Sequence, residues 1–198
     1  MSDASYWKNN WLDRQIGPAS NFARRAYLMI KNKKLKSLLD LGCGNGRDSM
    51  YFSKKGLEVT AIDISESGIK ALKARSQNTR CVQKDIRKIN FPKNSFDVIY
   101  ANLSLHYFDN KTLDEIFDNL YKILRKEGLI FVKCKSVKDS HFGKGKKIEE
   151  NVYKEGHVRH FFTKEYMIEK LKKFNVLKVR KTRKEKFAFI EAVAIKKW

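Results

Sequence analysis

Proline and cysteine are scarce in this chain, two and three among 198 residues, and no repeat or linker divides it. Cys43, Cys81 and Cys134 lie far apart with no Cys-x-x-Cys pair. That spacing argues against a disulfide framework or a zinc knuckle and fits a reducing compartment. No run approaches the roughly 18 apolar residues that a membrane span requires. The polar opening MSDASYWKNNW does not read as a signal peptide, so a cytoplasmic location and no membrane partner are expected. Acids are also few, 22 Asp and Glu against 43 Lys and Arg, which leaves a net charge of +21. Against these shortages, 42% hydrophobic and 12% aromatic residues suffice for one well-filled core, and residues 1–198 are expected to form one domain.

The most informative stretch is Ser37 to Ser65, SLLDLGCGNGRDSMYFSKKGLEVTAIDIS. Leu38 to Leu41 is a short apolar run fit for a buried parallel strand. Gly42, Gly44 and Gly46 follow where a strand must turn sharply into a helix, and that helix stops at Gly56. A second run, Leu57 to Ile62, ends in Asp63. Strand, glycine turn, helix, strand and acid make up a mononucleotide-binding βαβ unit. Glycines at 42 and 44 let the backbone turn tightly and approach a ligand. Asp63 stands where a carboxylate can accept from both ribose hydroxyls. Arg47 occupies the place where a dinucleotide fingerprint has its third small residue, which disfavours a nicotinamide or flavin site.

On these residues the chain resembles the class I, Rossmann-like S-adenosylmethionine-dependent methyltransferases, whose first motif is matched throughout from Leu38 to Gly46. The resemblance covers almost the whole chain from Leu35. The compact size, the GCGNGRDS turn and His160-Phe161-Phe162-Thr163 entering a helix are most similar to the small tellurite-resistance and thiol-type methyltransferases. It implies an α/β fold with a doubly wound, seven-stranded, mostly parallel sheet, an antiparallel C-terminal strand, and helices on both faces. It implies S-adenosylmethionine as cofactor, held by Asp40, Gly42, Cys43, Gly44, Gly46, Asp63, Ile64, Asp85, Ile86 and Asn102. Within that set Asp85 would take the adenine amine and Ile86 its ring face; the competing reading of Asp85 is a capping or loop carboxylate. No Asn-Pro-Pro-Tyr motif follows the fourth strand, where Asn102-Leu103-Ser104-Leu105 stands, and this weighs against amino-methylation of DNA bases or glutamine.

Elsewhere the pattern predicts a helix from about Ser20 to Lys31, with Phe22, Ala26, Tyr27 and Ile30 on one face. Residues 1–34 would form an N-terminal helical cap, with Tyr6, Trp7 and Trp11 either a lid or simple packing. Arg14, Arg24 and Arg25 are either solvated or anion contacts. A third strand is expected at 80–84, a fourth at 96–101, a helix from Lys111 to Lys126, and a fifth strand at 129–132. Ligands bind at the carboxyl ends of such strands, so His106 and Tyr107, leaving strand four, are the candidate catalytic residues. Residues 135–162 read as a long loop and substrate-side insertion. Its candidates are His157, Arg159 and His160, which join Tyr6 and Trp11 on the substrate side. His141, His157 and His160 lack a patterned carboxylate or cysteine, so no metal is expected. Thr163 caps a further helix, and strands at 174–179 and 187–195 flank a charged connection at 181–186.

The surplus charge has two readings. From Lys133 onward there are 20 basic and 8 acidic residues, against 23 and 14 before it. A polyanion footprint for RNA is one reading. The other is a lysine-rich solvated surface, which the spread of lysine along helices favours. The expected partner is therefore a small-molecule methyl acceptor. Methylation of RNA or protein through the basic surface, and a non-catalytic cofactor-binding protein, stand as alternatives.

Overall fold

The computed structural model describes residues 6–7, 11 and 15–197. Arg14 lies outside the described residues. Among the described residues, ten strands and five helices of more than one turn follow one another. They are α1 (Asn21–Ile30), β1 (Ser37–Leu41), α2 (Arg47–Lys54), β2 (Glu58–Asp63), α3 (Glu66–Lys73), β3 (Thr79–Gln83), β4 (Phe96–Asn102) and α4 (Asn110–Ile123). Then come β5 (Leu124–Lys135), β6 (Lys146–Glu149), β7 (Val152–Glu155), β8 (His157–His160), α5 (Lys164–Lys170), β9 (Phe174–Lys184) and β10 (Phe187–Lys196). Seven strands form one sheet in the order β3-β2-β1-β4-β5-β10-β9, parallel apart from β10. This is the doubly wound architecture the sequence implies. Its order reverses between β1 and β4, the switch point at which such sheets bind ligands.

Alternation along the strands assigns the two faces. Leu38, Val59, Val98, Tyr100 and Phe131 pack with Phe22, Ala26 and Ile30 of α1 and Phe52 of α2. Leu39, Leu41, Ile62, Ile99 and Val132 pack with Leu113, Ile116, Phe117 and Leu120 of α4 and Met167 of α5. The helices begin where the sequence supplies caps: Ser20 accepts from the Ala23 amide, Ser65 from Gly68, Asp109 from Thr112 and Thr163 from Tyr166. Each such cap contributes about 1 kcal/mol.

Three expectations are corrected. Residues 135–162 are not a loop; β6, β7 and β8 form a separate three-stranded antiparallel sheet. The meander is pinned at its base, where Phe162 donates its amide to the Lys135 carbonyl and Val137 donates to Phe162. Its strands of four residues are too short, and too rich in lysine, to show a period of two. The fourth helix ends at Ile123 rather than near Lys126, because Leu124 is buried in extended backbone and pairs with Phe96. Finally, β9 runs on to Lys184, leaving only Glu185 and Lys186 as the turn.

Candidate functional site

The carboxyl ends of β1, β2 and β4 converge on the glycine turn. Gly42 and Gly44 have φ of 71° and 57°, left-handed values that glycine adopts without steric cost. A side chain at Gly42 would strike Ser104, and a Cβ at Gly44 would lie 2.6 Å from the Trp11 ring. The turn is held by Asp63, which accepts from the Gly44 amide at 2.8 Å and from the Ser65 amide at 2.8 Å. Burial pushes the Asp63 carboxyl up from its ordinary range, against those two amides. The Ile64 amide also favours the charged form, and a carboxylate's roughly four acceptor positions leave capacity for a ribose hydroxyl.

Asp63 opens onto a cavity lined by Gly42, Asp63, Ile64, Asp85 and Ile86 together with Trp7, Trp11, Ser104, Tyr107, Phe108 and His157; of these, Ser104 lies against Gly42 and the Trp11 ring against Gly44. Asp85 lines the cavity and also caps the turn that follows it, accepting from the Arg87 amide and pairing with the Arg87 guanidinium at 2.5 Å. Tyr6 stacks on His157 with ring centroids 4.2 Å apart, and the Ser65 hydroxyl donates to the Trp7 carbonyl at 3.0 Å. The N-terminal aromatics therefore close one wall of the cavity.

Other residues singled out in the sequence stand back from the cavity. Asp40 is buried beneath the turn, accepts from the Ser49 hydroxyl, and is pushed up to about 7 by burial, with Asp48 and Asp63 adding repulsion. Cys43 and Gly46 complete the turn outside the lining, with Gly46 packed on Leu72. The Asn102 amide donates to Asp48 at 2.9 Å, while its Oδ1 is buried without a partner. Arg159 pairs with Glu155 at 2.8 Å. His160 lies against Phe162 and Tyr166 and donates from Nδ1 to the Phe108 carbonyl, and burial lowers its pKa to about 4. His106 is fully buried behind Tyr107, rings 4.2 Å apart, and neither of its nitrogens has a partner. Burial, with Lys135 and His157 nearby, holds its pKa well below the usual imidazole value. Among the described residues no group of three His, Cys, Asp or Glu could hold a metal ion.

Sequence reasoning did not single out Leu103, Ser104, Phe108 and Val158, and it left Trp7 as an aromatic of unassigned role. Leu103 carries the signature of a functional bend, φ of 62° in a residue that is not glycine, but no residue type announces it. Trp7 could have been reached from its spacing of four from Trp11.

A protein family described as "Methyltransferase domain" matches residues 39–132, from β1 through β5. Residues 39–132 thus match a methyltransferase domain, and the chain has the fold of S-adenosylmethionine-dependent methyltransferases. The malonyl-[acyl-carrier protein] O-methyltransferase of Enterobacter lignolyticus is 32% identical over 125 residues, 63% of this chain and 47% of that protein. A tRNA N(3)-methylcytidine methyltransferase of Drosophila melanogaster is 30% identical over 147 residues, 66% of this chain and 45% of that protein. The chain thus spans about half the length of these curated relatives or less. Among solved structures, a methyltransferase of Methanosarcina mazei superposes with a TM-score of 0.76 at 20% identity, covering 86% of this chain and 96% of the other. TehB of Haemophilus influenzae gives 0.73 at 19%, covering 96% and 67%. The tellurite-resistance likeness is one neighbour among several.

S-adenosylmethionine is the cofactor of this methyltransferase domain, and the residues present fit it. The glycine turn leaves no room for side chains, the Asp63 carboxylate lines the cavity with acceptor capacity to spare, and the buried Ser104 hydroxyl there has no protein partner. Ile64 and Ile86 would take the faces of the adenine ring, with Asp85 at its amine.

Proposed function

We propose that this chain transfers a methyl group to a small acceptor whose nucleophilic atom is competent at neutral pH without a base. Thiolates, carboxylates, unprotonated amines and metalloid oxyanions meet that description. When bound, S-adenosylmethionine supplies an electrophilic sulfonium methyl. The protein's share is then to align an acceptor with it, and alignment alone supplies much of the rate. Tyr107, Trp7 and His157 wall the acceptor end and would exclude water from it.

One observation carries the reading: His106, the imidazole that leaves strand four beside the site, is wholly buried behind Tyr107 and cannot reach an acceptor's proton. The imidazole that does line the cavity, His157, is packed among the rings of Tyr6, Trp7 and Tyr107. The test is methyl transfer from labelled cofactor to a panel of thiols, carboxylates, amines, oxyanions and alcohols. Labelling of the first four classes and not of alcohols is expected. Labelling of alcohols or phenols alone would overturn the reading. His106→Phe should retain activity to within about tenfold, whereas removal of a true general base costs about 10²–10⁴-fold.

A further inference from the structure

Lysines crowd one strip of the surface. In the β6–β7 pair, Lys146 stands directly opposite Lys154. Like charges in that register repel and destabilise a sheet. Lys144 is exposed in the turn just before them. The tip of the β9–β10 hairpin adds Arg183, Lys184 and Lys186, all exposed, with Glu185 the only acid among them. The two groups are joined: the Ser140 amide donates to the Lys186 carbonyl, the Ala188 amide to Asp139, and His141 stacks on Phe187 with planes 9° apart. Among the described residues none of these six cations has a carboxylate within ion-pair distance. The neighbouring acids are engaged elsewhere, Glu150 by Lys147 and Glu155 by Arg159.

Protection of sheet edges by lysine accounts for residues on β6 and β9. It does not account for Lys154, which stands on the central strand of its sheet. Phe142, 37% exposed, lies beside this group, its ring edge-on to Tyr153 and Phe161 at 5.4 Å from each. Cations interleaved with an accessible aromatic face match a chain of phosphates bearing unstacked bases. The strip also leads to the methyl-transfer site. Lys146, Lys154 and Val158 are register partners in one row across β6, β7 and β8, and Val158 lines the cavity.

We propose that this strip is a docking surface for single-stranded RNA, its phosphates met by Lys144, Lys146, Lys154 and the hairpin tip, and a base stacked on Phe142. The inference goes beyond the acceptor chemistry above: the RNA docks whether or not it receives the methyl.

The test is fluorescence anisotropy with a labelled, unstructured RNA of about 20 nucleotides, titrated over a range of salt. Replacing Lys144, Lys146, Lys154 and Lys186 together with Gln should weaken binding at least about tenfold at low salt. It should also flatten the log–log salt dependence by about 2.8, since each lost contact to a single strand removes about 0.7. A control replacing Lys31, Lys33, Lys34 and Lys93, exposed at the opposite edge, changes net charge equally and should change both by little. Phe142→Ala should weaken binding about fivefold or more with the salt dependence unchanged. Calorimetry with S-adenosylhomocysteine on every variant shows that the fold and cofactor site persist. Equal losses in the two quadruple variants would overturn the proposal. So would wild-type protein binding double-stranded DNA or polyglutamate as tightly as the RNA.

Discussion

Buried acids are satisfied differently in the two halves of the sheet. At β1 and β2, Asp63 takes two backbone amides and Asp40 a serine hydroxyl, all neutral donors. At β10, Glu191 is 3% exposed and takes Arg25, Lys133 and Arg180 at 2.8, 3.2 and 2.7 Å. Neutral donors leave a carboxylate's charge unneutralised, and here burial raises the pKa of both acids, that of Asp40 to about 7, so the glycine turn carries only part of that charge near neutrality. Ion pairs consume it: three cations around one acid leave the β5–β10–β9 end positive, continuous with the lysine strip beyond it. Asp48 stands between the two regimes, taking Arg47 together with Ser20, Tyr100 and Asn102.

The comparison is tested hardest at Glu191. Burial alone would raise its pKa, but the Arg180 bonds and the charges of Lys133 and Arg25 outweigh it and hold the carboxyl low. Glu191→Ala leaves three cations facing one another. Because Arg25 and Arg180 are about a third exposed, the expected loss is about 2–4 kcal/mol, at or below the usual range for breaking a buried pair. Urea titration measures it. Cofactor affinity should be unchanged, since Glu191 does not line that cavity. A loss of cofactor binding as large as the loss of stability would merge the two regions.

Asp63 should show the opposite split. Asp63→Ala removes an acceptor for two backbone amides and for the ribose, and S-adenosylhomocysteine binding should weaken by about 1–3 kcal/mol in calorimetry. Unaltered affinity would mean that this carboxylate only braces the turn.

The same division marks what could be read in advance. The cofactor end was legible because its parts are contiguous: the strand, the glycines at 42, 44 and 46 and the acid at 63 fall within one βαβ unit, where chain order and geometry coincide. Asp85 and Ile86 followed from the next strand. The rest of the cavity wall is assembled from Trp7 and Trp11, the bend at Leu103 and β8, segments far apart in sequence. His106 was found by position, but its burial depends on Tyr107 and the meander packed above it, which no local pattern encodes. His160 was misleading for the same reason. It stands next to the substrate-side strand residues, yet its ring turns toward Tyr166.

Below these effects lies a dependence on pH from Asp40. Its folded pKa, about 7, exceeds the unfolded value of 3.8, so the folded state holds the proton longer. The associated stability is present in full below about pH 4 and is lost as pH rises toward 7. Asp40→Asn should flatten the decline of the urea midpoint across that window and leave the mutant relatively more stable above it. The depressed carboxyls Asp48, Asp97 and Glu191 act in the other direction and only at lower pH, their stability present above the unfolded values and lost on acidification. His106 and His160, whose folded pKa values lie below the unfolded 6.5, act oppositely over the same window, so wild type and Asp40→Asn are compared at each pH. An identical pH dependence of the two midpoints would show Asp40 ionised in the folded protein.

The smallest effect is expected at Asp85, and it separates the two kinds of acid most finely. Its pair with Arg87 is on the surface, with the guanidinium 43% exposed, and exposed pairs contribute at most about 1 kcal/mol. Asp85→Asn should therefore leave the urea midpoint within that margin. If the carboxylate also takes the adenine amine, the same change lowers affinity for S-adenosylhomocysteine, by about 0.5–1.5 kcal/mol for one hydrogen bond. A shift in affinity without a shift in stability would identify an acid that faces ligand. The reverse would place Asp85 with Glu191, as a carboxylate spent on its own protein.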